Sequence, residues 1–167
     1  MNQLVIIRGY PGSGKTTLGK RLEDNGYGIF IDHNAILTFI AGIVGNDDGI
    51  YDEIHSLELS MARKLLTEGK SAIVARGFSG GNSAKPYLRL AEKSQVKVVV
   101  IRLEVGIDTL EKRVVAPERK KDFNPTIEPY SLRAWIESNP LEAMSGEIII
   151  DASEDINKVL ERAEAVI

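Results

Sequence analysis

The chain has 167 residues, a formal net charge of −3 and no cysteine. This size suits one domain that buries roughly two-thirds of its unfolded surface. The lack of cysteine excludes disulfides, thiolate metal sites and cysteine nucleophiles, and the acidic balance argues against a surface built for extended nucleic acid. No apolar run approaches transmembrane length and no signal-type hydrophobic stretch opens the sequence, so a cytoplasmic protein without membrane contact is expected.

The first element is the apolar, β-rich run Leu4-Val5-Ile6-Ile7-Arg8, read as a buried strand. It leads into Gly9-Tyr10-Pro11-Gly12-Ser13-Gly14-Lys15-Thr16, which matches the phosphate-loop pattern G-x-x-x-x-G-K-[ST] in full and is followed by Thr17. Glycines at 9, 12 and 14 allow a tight loop whose N–H groups converge on an anion. Lys15 adds a point charge for the β- and γ-phosphates, Thr16 a hydroxyl for Mg²⁺, and the helix expected over about Lys15 to Asn25 its positive dipole end. Gly12, Ser13, Gly14, Lys15, Thr16 and Thr17 are therefore the expected nucleotide-binding residues.

Gly28 to Asp32 reads as a second strand ending on a carboxylate, and Ile36, Leu37, Ile40 and Ile43 resume helical spacing. Gly45 to Gly49 is dense in turn formers. A long amphipathic helix is expected over about Ile50 to Glu68, with Ile54, Leu57, Met61, Leu65 and Leu66 on its apolar stripe. Ser71 to Ala75 is the third strand, running into Arg76-Gly77-Phe78-Ser79-Gly80-Gly81, and Pro86 opens a helix to Lys93.

Val96 to Leu103 forms the longest β-branched run and Ile107 to Val115 the next helix. The polar Ala116 to Pro129 reads as an irregular segment or lid, within a lid-like stretch of about residues 113–130. Tyr130 to Ser138 is a short helix, Glu147 to Asp151 the fifth strand, and Ile156 to Val166 the closing helix, with Ser153 or Glu154 near its start. Apolar strands alternating with helices indicate an α/β chain with a parallel sheet covered on both faces. Ligands bind beyond the carboxyl ends of such strands, where Arg8-Gly9, Asp32, Arg76-Gly77 and Asp151 all fall.

The phosphate loop, Asp32 after the second strand and an arginine-bearing segment after the fourth resemble the small P-loop kinases. That group includes the polynucleotide, shikimate and gluconate kinases, chloramphenicol phosphotransferase and zeta toxins. The resemblance implies a three-layer fold with a five-stranded parallel sheet in the order 2-3-1-4-5, and transfer of the γ-phosphate of ATP, as its Mg²⁺ complex, to a hydroxyl acceptor. By motif position it implies Asp32 as the group receiving the acceptor's proton. Asp32 also reads as the N-cap of the following helix. The resemblance further implies one arginine against the adenine or phosphates and another on the moving phosphoryl, a pair that Arg113 and Arg119 would supply. Lys120 and Lys121 read more simply as a solvated basic loop.

Two departures bear on the acceptor. The arginine that holds the 3′-phosphate in polynucleotide kinases is replaced by Ala35, or by Leu37 under an alternative alignment. Arg76 stands where a Walker-B carboxylate often ends the third strand. Mg²⁺ would then rest on Thr16, phosphate oxygens and water, with Asp32 nearby. The resemblance to shikimate-kinase-like enzymes implies that Arg76 and Gly77 approach the acceptor, with a structural arginine at a buried edge as the equal alternative. A small hydroxylated acceptor is favoured over a polynucleotide 5′-hydroxyl; a nucleotide-binding or NTPase regulatory module is the rival class. His33 and His55 show no recognised metal spacing, and Trp135 reads as packing, with stacking on a nucleobase as its alternative. Asp47, Asp48, Asp52 and Glu53 read as a solvated acidic surface or, alternatively, as a border of the acceptor site that would disfavour a polyanionic acceptor.

Overall fold

The computed structural model describes residues 2–45, 50–78, 83–116 and 129–167, the first two residues of the last segment by backbone alone. In chain order the elements are β1 (Gln3–Arg8), α1 (Lys15–Asp24), β2 (Ile29–Ile31), α2 (His33–Val44), α3 (Ile50–Thr67), β3 (Ala72–Arg76) and α4 (Lys85–Ser94). They continue with β4 (Lys97–Glu104), α5 (Ile107–Val114), α6 (Pro129–Ser138), β5 (Ile148–Asp151) and α7 (Ile156–Glu164). The strands form one parallel sheet in the order β2-β3-β1-β4-β5, as the resemblance implied.

Alternation along the strands divides the core into two layers. Val5, Ile7, Ile73 and Ile101 face α1 and α7, meeting Leu18, Leu22 and Val159. Leu4, Ile6, Val74 and Val100 face α3 and α4, meeting Ala62, Leu66 and Tyr87. Smaller clusters join α2 to α3 through Leu37 and Ile54, and α5 to α6 through Leu110 and Leu132. Among the described residues, no helix is long and apolar enough to cross a membrane.

Two local expectations are corrected. The buried positions of α3 are Ile50, Ile54, Glu58, Ala62 and Leu66, whereas Leu57 and Met61 are 42% and 38% exposed. The helix is thus rotated so that a strict four-residue series faces inward with a carboxylate at its centre. At α7 the cap is Asp155, whose Oδ1 accepts from Asn157 N at 2.9 Å. Ser153 is used instead by the preceding turn, donating both its N–H and its hydroxyl to Asp151 Oδ1 at 2.9 and 2.6 Å. The lid expected after α5 lies largely at residues 117–128, outside the described residues.

Gly19 shows how closely α1 approaches the sheet. A Cβ there would sit 2.5 to 2.8 Å from three ring atoms of Phe30. Gly19→Ala should therefore cost about 1–3 kcal/mol by overpacking, read as a lower midpoint in urea unfolding. An unchanged midpoint would mean that the Phe30 ring turns aside without loss.

Candidate active-site cleft

The loop between β1 and α1 is shaped by its glycines. At Gly9, with φ of 155°, an added Cβ would lie 2.5 Å from Ser13 Oγ and 3.0 Å from the Leu103 carbonyl, so the position accepts only hydrogen. Ser13 N closes a turn onto Tyr10 O at 3.1 Å, and Ser13 Oγ is buried with no hydrogen-bond partner. Gly14, left-handed at φ 96°, is the N-cap of α1 and brings no capping side chain. The first turn of α1 therefore presents its N–H groups without a side-chain competitor, which suits an anion. Lys15 folds back over this loop, its Nζ donating to Gly9 O at 2.8 Å and Tyr10 O at 2.9 Å.

Arg113 of α5 lies against the far side of the loop. It donates to Ala152 O at 3.0 Å and reaches Gly12 O at 3.5 Å, joining the phosphate loop to the segment after β5. A recess of about 400 Å³ opens here, lined by Gly12, Thr17, Arg113, Ala152 and Asp155 among others. In the turn around Ala152, the two hydrogen bonds from Ser153 hold the Asp151 carboxyl below its ordinary range.

A larger cleft of about 740 Å³ runs from the phosphate loop toward α2, α3 and the end of β3. That volume falls in the usual range for small-molecule sites. Lys15, Thr16 and Arg113 line one part; His33, Asn34, His55, Arg76 and Gly77 line the other. Trp135 of α6 also lines it, edge-on to Tyr10 with ring centroids 6.3 Å apart, and the Tyr10 hydroxyl accepts from Leu141 N at 3.0 Å. Thus Arg76 and Gly77 stand in the same cleft as the phosphate loop. Arg119, Lys120 and Lys121 lie outside the described residues, as do Ser79, Gly80 and Gly81.

Asp32 has a different setting. Its Oδ1 caps α2, accepting from Asn34 N at 3.0 Å and Ala35 N at 3.4 Å, and its Oδ2 pairs with Lys20 at 3.1 Å. The next two residues, His33 and Asn34, line the cleft, while Asp32 is not among its lining residues.

Behind the part of the cleft lined by His33, His55 and Arg76 lies a polar cluster that no local sequence pattern announces. Glu58, 2% exposed, accepts from Arg76 at 3.0 Å and from the Tyr87 hydroxyl at 3.3 Å, and its Oε1 lies 2.7 Å from His33 Nδ1. Arg76 also contacts His55 Nδ1, and the Tyr87 ring meets both His55 and Phe78 edge-on. Burial, reinforced by the Glu58 charge, pushes the Tyr87 phenol up. Burial and the Arg76 guanidinium hold His55 below its ordinary value of 6.5. The only available signal was that Glu58 falls on the Ile50, Ile54, Ala62, Leu66 series.

Arg8, 1% exposed, completes the edge. It donates to Glu147 at 2.9 Å and to Phe78 O at 3.2 Å, and Glu147 also receives Arg102 at 2.9 Å. Arg8 is the register partner of both Arg76 and Arg102. Parallel pairing thus places three guanidinium-bearing residues side by side on one face of the sheet.

The family profile described as an AAA domain matches residues 4–129. No curated protein gives a significant sequence match. Among solved structures, a candidate kinase from Chloroflexus aurantiacus J-10-fl is 18% identical, with 99% of this chain and 98% of that one covered and a TM-score of 0.78. A sugar kinase from Janibacter sp. HTCC2649 is 18% identical, covering 99% and 94% at a TM-score of 0.68. A gluconokinase from Sinorhizobium meliloti 1021 is 15% identical, covering 98% and 90% at 0.63. At these identities the likeness is one of fold, and the fold is that of the small P-loop kinases.

The lowered His55 value sets a direction for stability. The unfolded chain takes up a proton near the ordinary imidazole value that the folded site resists, so this contribution is full above about pH 6.5 and is lost as pH falls below it. Urea midpoints taken at about pH 7.5 and 5.5 should differ less in His55→Asn than in the parent chain. Equal acid sensitivity in the two proteins would remove His55 from the effect.

Proposed function

We propose that this chain, which belongs to the AAA domain family, is an ATP-dependent phosphotransferase that moves the γ-phosphoryl group to a hydroxyl acceptor. The observation that carries this reading is that one cleft holds both the phosphate loop and the end of β3, room for a donor and an acceptor side by side. Phosphoryl transfer needs mainly positioning and charge stabilisation.

The uncapped first turn of α1 and the Lys15 ammonium fit a triphosphate, with Gly12, Ser13, Gly14 and Thr17 completing the cradle. Thr16 would hold Mg²⁺ together with phosphate oxygens; the ion would supply charge neutralisation at the phosphates. Arg113, between Gly12 and Ala152, suits the nucleotide side and the developing charge on the phosphates. Arg119 is proposed for the transferred phosphoryl from sequence position alone.

In the transfer, the acceptor oxygen bonds to the γ-phosphorus, the bond from γ-phosphorus to the bridging oxygen breaks, and ADP leaves with that electron pair. The acceptor proton is assigned to Asp32 from sequence position alone, since its carboxylate caps α2 beside the cleft rather than lining it. Its bond to the α2 N–H groups would hold the carboxylate in place, and the Lys20 pair, on an exposed ammonium, adds little stability.

Label transfer from γ-labelled ATP to hydroxylated acceptors tests the reading. Lys15→Ala should weaken ATP binding and reduce transfer by about 10²-fold or more; undiminished turnover would remove the loop from the mechanism. Asparagine caps a helix as well as aspartate does, so Asp32→Asn separates the two roles. Unfolding and ATP affinity should stay near those of the parent chain while kcat falls by about 10²-fold or more. A normal kcat would assign Asp32 to the helix cap alone, and release of free phosphate without transfer to any acceptor would replace the kinase reading by an NTPase.

A further inference from the structure

The part of the cleft remote from the phosphate loop has an unusual charge inventory. Among the described residues its fixed charges are Arg76, Asp52 in the wall and Glu58 immediately behind. Two carboxylates therefore face one guanidinium, which is already paired with Glu58 at 3.0 Å and in contact with His55. An anionic acceptor would surrender its hydration to a region of net negative fixed charge, a costly exchange.

The remaining polar groups suit a different ligand. Glu58 occupies His33 Nδ1, so the ring nitrogen left for the cleft is Nε2. His55 and Tyr51 add polar groups to the wall, and Phe78 adds apolar surface. Donors and acceptors interleaved with aromatic surface match a compact ring bearing several hydroxyls.

Resting on the phosphotransferase reading, we infer that this part of the cleft is the acceptor site and that its acceptor is an uncharged, hydroxyl-rich ring compound of the size of a sugar or nucleoside. Glu58 acts as a positioning residue, cancelling the Arg76 charge and orienting His33. Selectivity against carboxylated and phosphorylated acceptors follows from the same contacts.

The chain has only two histidines, and both line this part of the cleft, so their imidazole NMR resonances report binding directly. The probes are glucose, ribose, adenosine and uridine, each set against a carboxylated or phosphorylated counterpart, with parallel assays of label transfer from ATP. Neutral members should shift the imidazole resonances at least about ten-fold more tightly than their charged counterparts. Equal or tighter binding of the charged members, or no response to any neutral one, would overturn the inference. Glu58→Gln, checked for folding by its melting curve, should shrink that preference by unmasking Arg76; an unchanged preference would defeat the charge argument. Label moving to a charged acceptor instead would leave the kinase reading standing and defeat this one. Neutral compounds that bind the histidines without ever receiving label would leave the preference for neutral ligands standing but defeat their role as acceptors, and with it the kinase reading.

Discussion

Three arginines standing abreast at the carboxyl edge of a parallel sheet are the constraint on which this cleft depends. Strand register makes Arg76, Arg8 and Arg102 neighbours, and alternation sends them all to the face covered by α3 and α4. Like charges on adjacent strands repel, and Arg8 is almost wholly out of water, so the arrangement requires anions inserted between them. Glu147 binds Arg8 and Arg102, Glu104 adds to Arg102, and Glu58 takes Arg76. Each carboxylate comes from a different element, so the ends of β4, the approach to β5 and the middle of α3 are all drawn to one line.

A charged cluster of this kind is weak support for stability as such. Apolar residues of similar volume often hold a fold at least as well, while loss of a single partner strands a buried charge. What the cluster provides is position. Arg8 reaches across to the Phe78 carbonyl, at a residue whose backbone takes the left-handed φ of 49°, and so fixes how the chain leaves β3. Glu58 fixes the two side chains, His33 and Arg76, that face the cleft from α2 and β3.

The parts that were legible in the sequence are those whose cause is local. Val96 to Leu103 could only be a doubly buried strand, and Gly9 to Thr16 carries its geometry in its own residue types. The site behind the cleft was not legible, because burying Glu58 depends on partners at 33, 76 and 87 that have no fixed spacing from it. Reading α3 by hydrophobicity favoured Leu57 and Met61, since a carboxylate on the inner row looks like a break in the stripe until its partners are known. Asp155 displaced the expected cap residues for a similar reason: Ser153 was already committed to Asp151.

The pairing of Arg8 with Arg76 also makes the sheet a ruler. The phosphate loop leaves β1 one residue after Arg8, and the Gly77 side of the cleft leaves β3 one residue after its partner Arg76. A slip of one residue between the two strands would carry Arg76 to the opposite face, away from Glu58 and toward α1. Spacing between the two ends of the cleft is therefore set in whole steps of strand pairing, and small adjustments must come from side chains or from the segments beyond the strands.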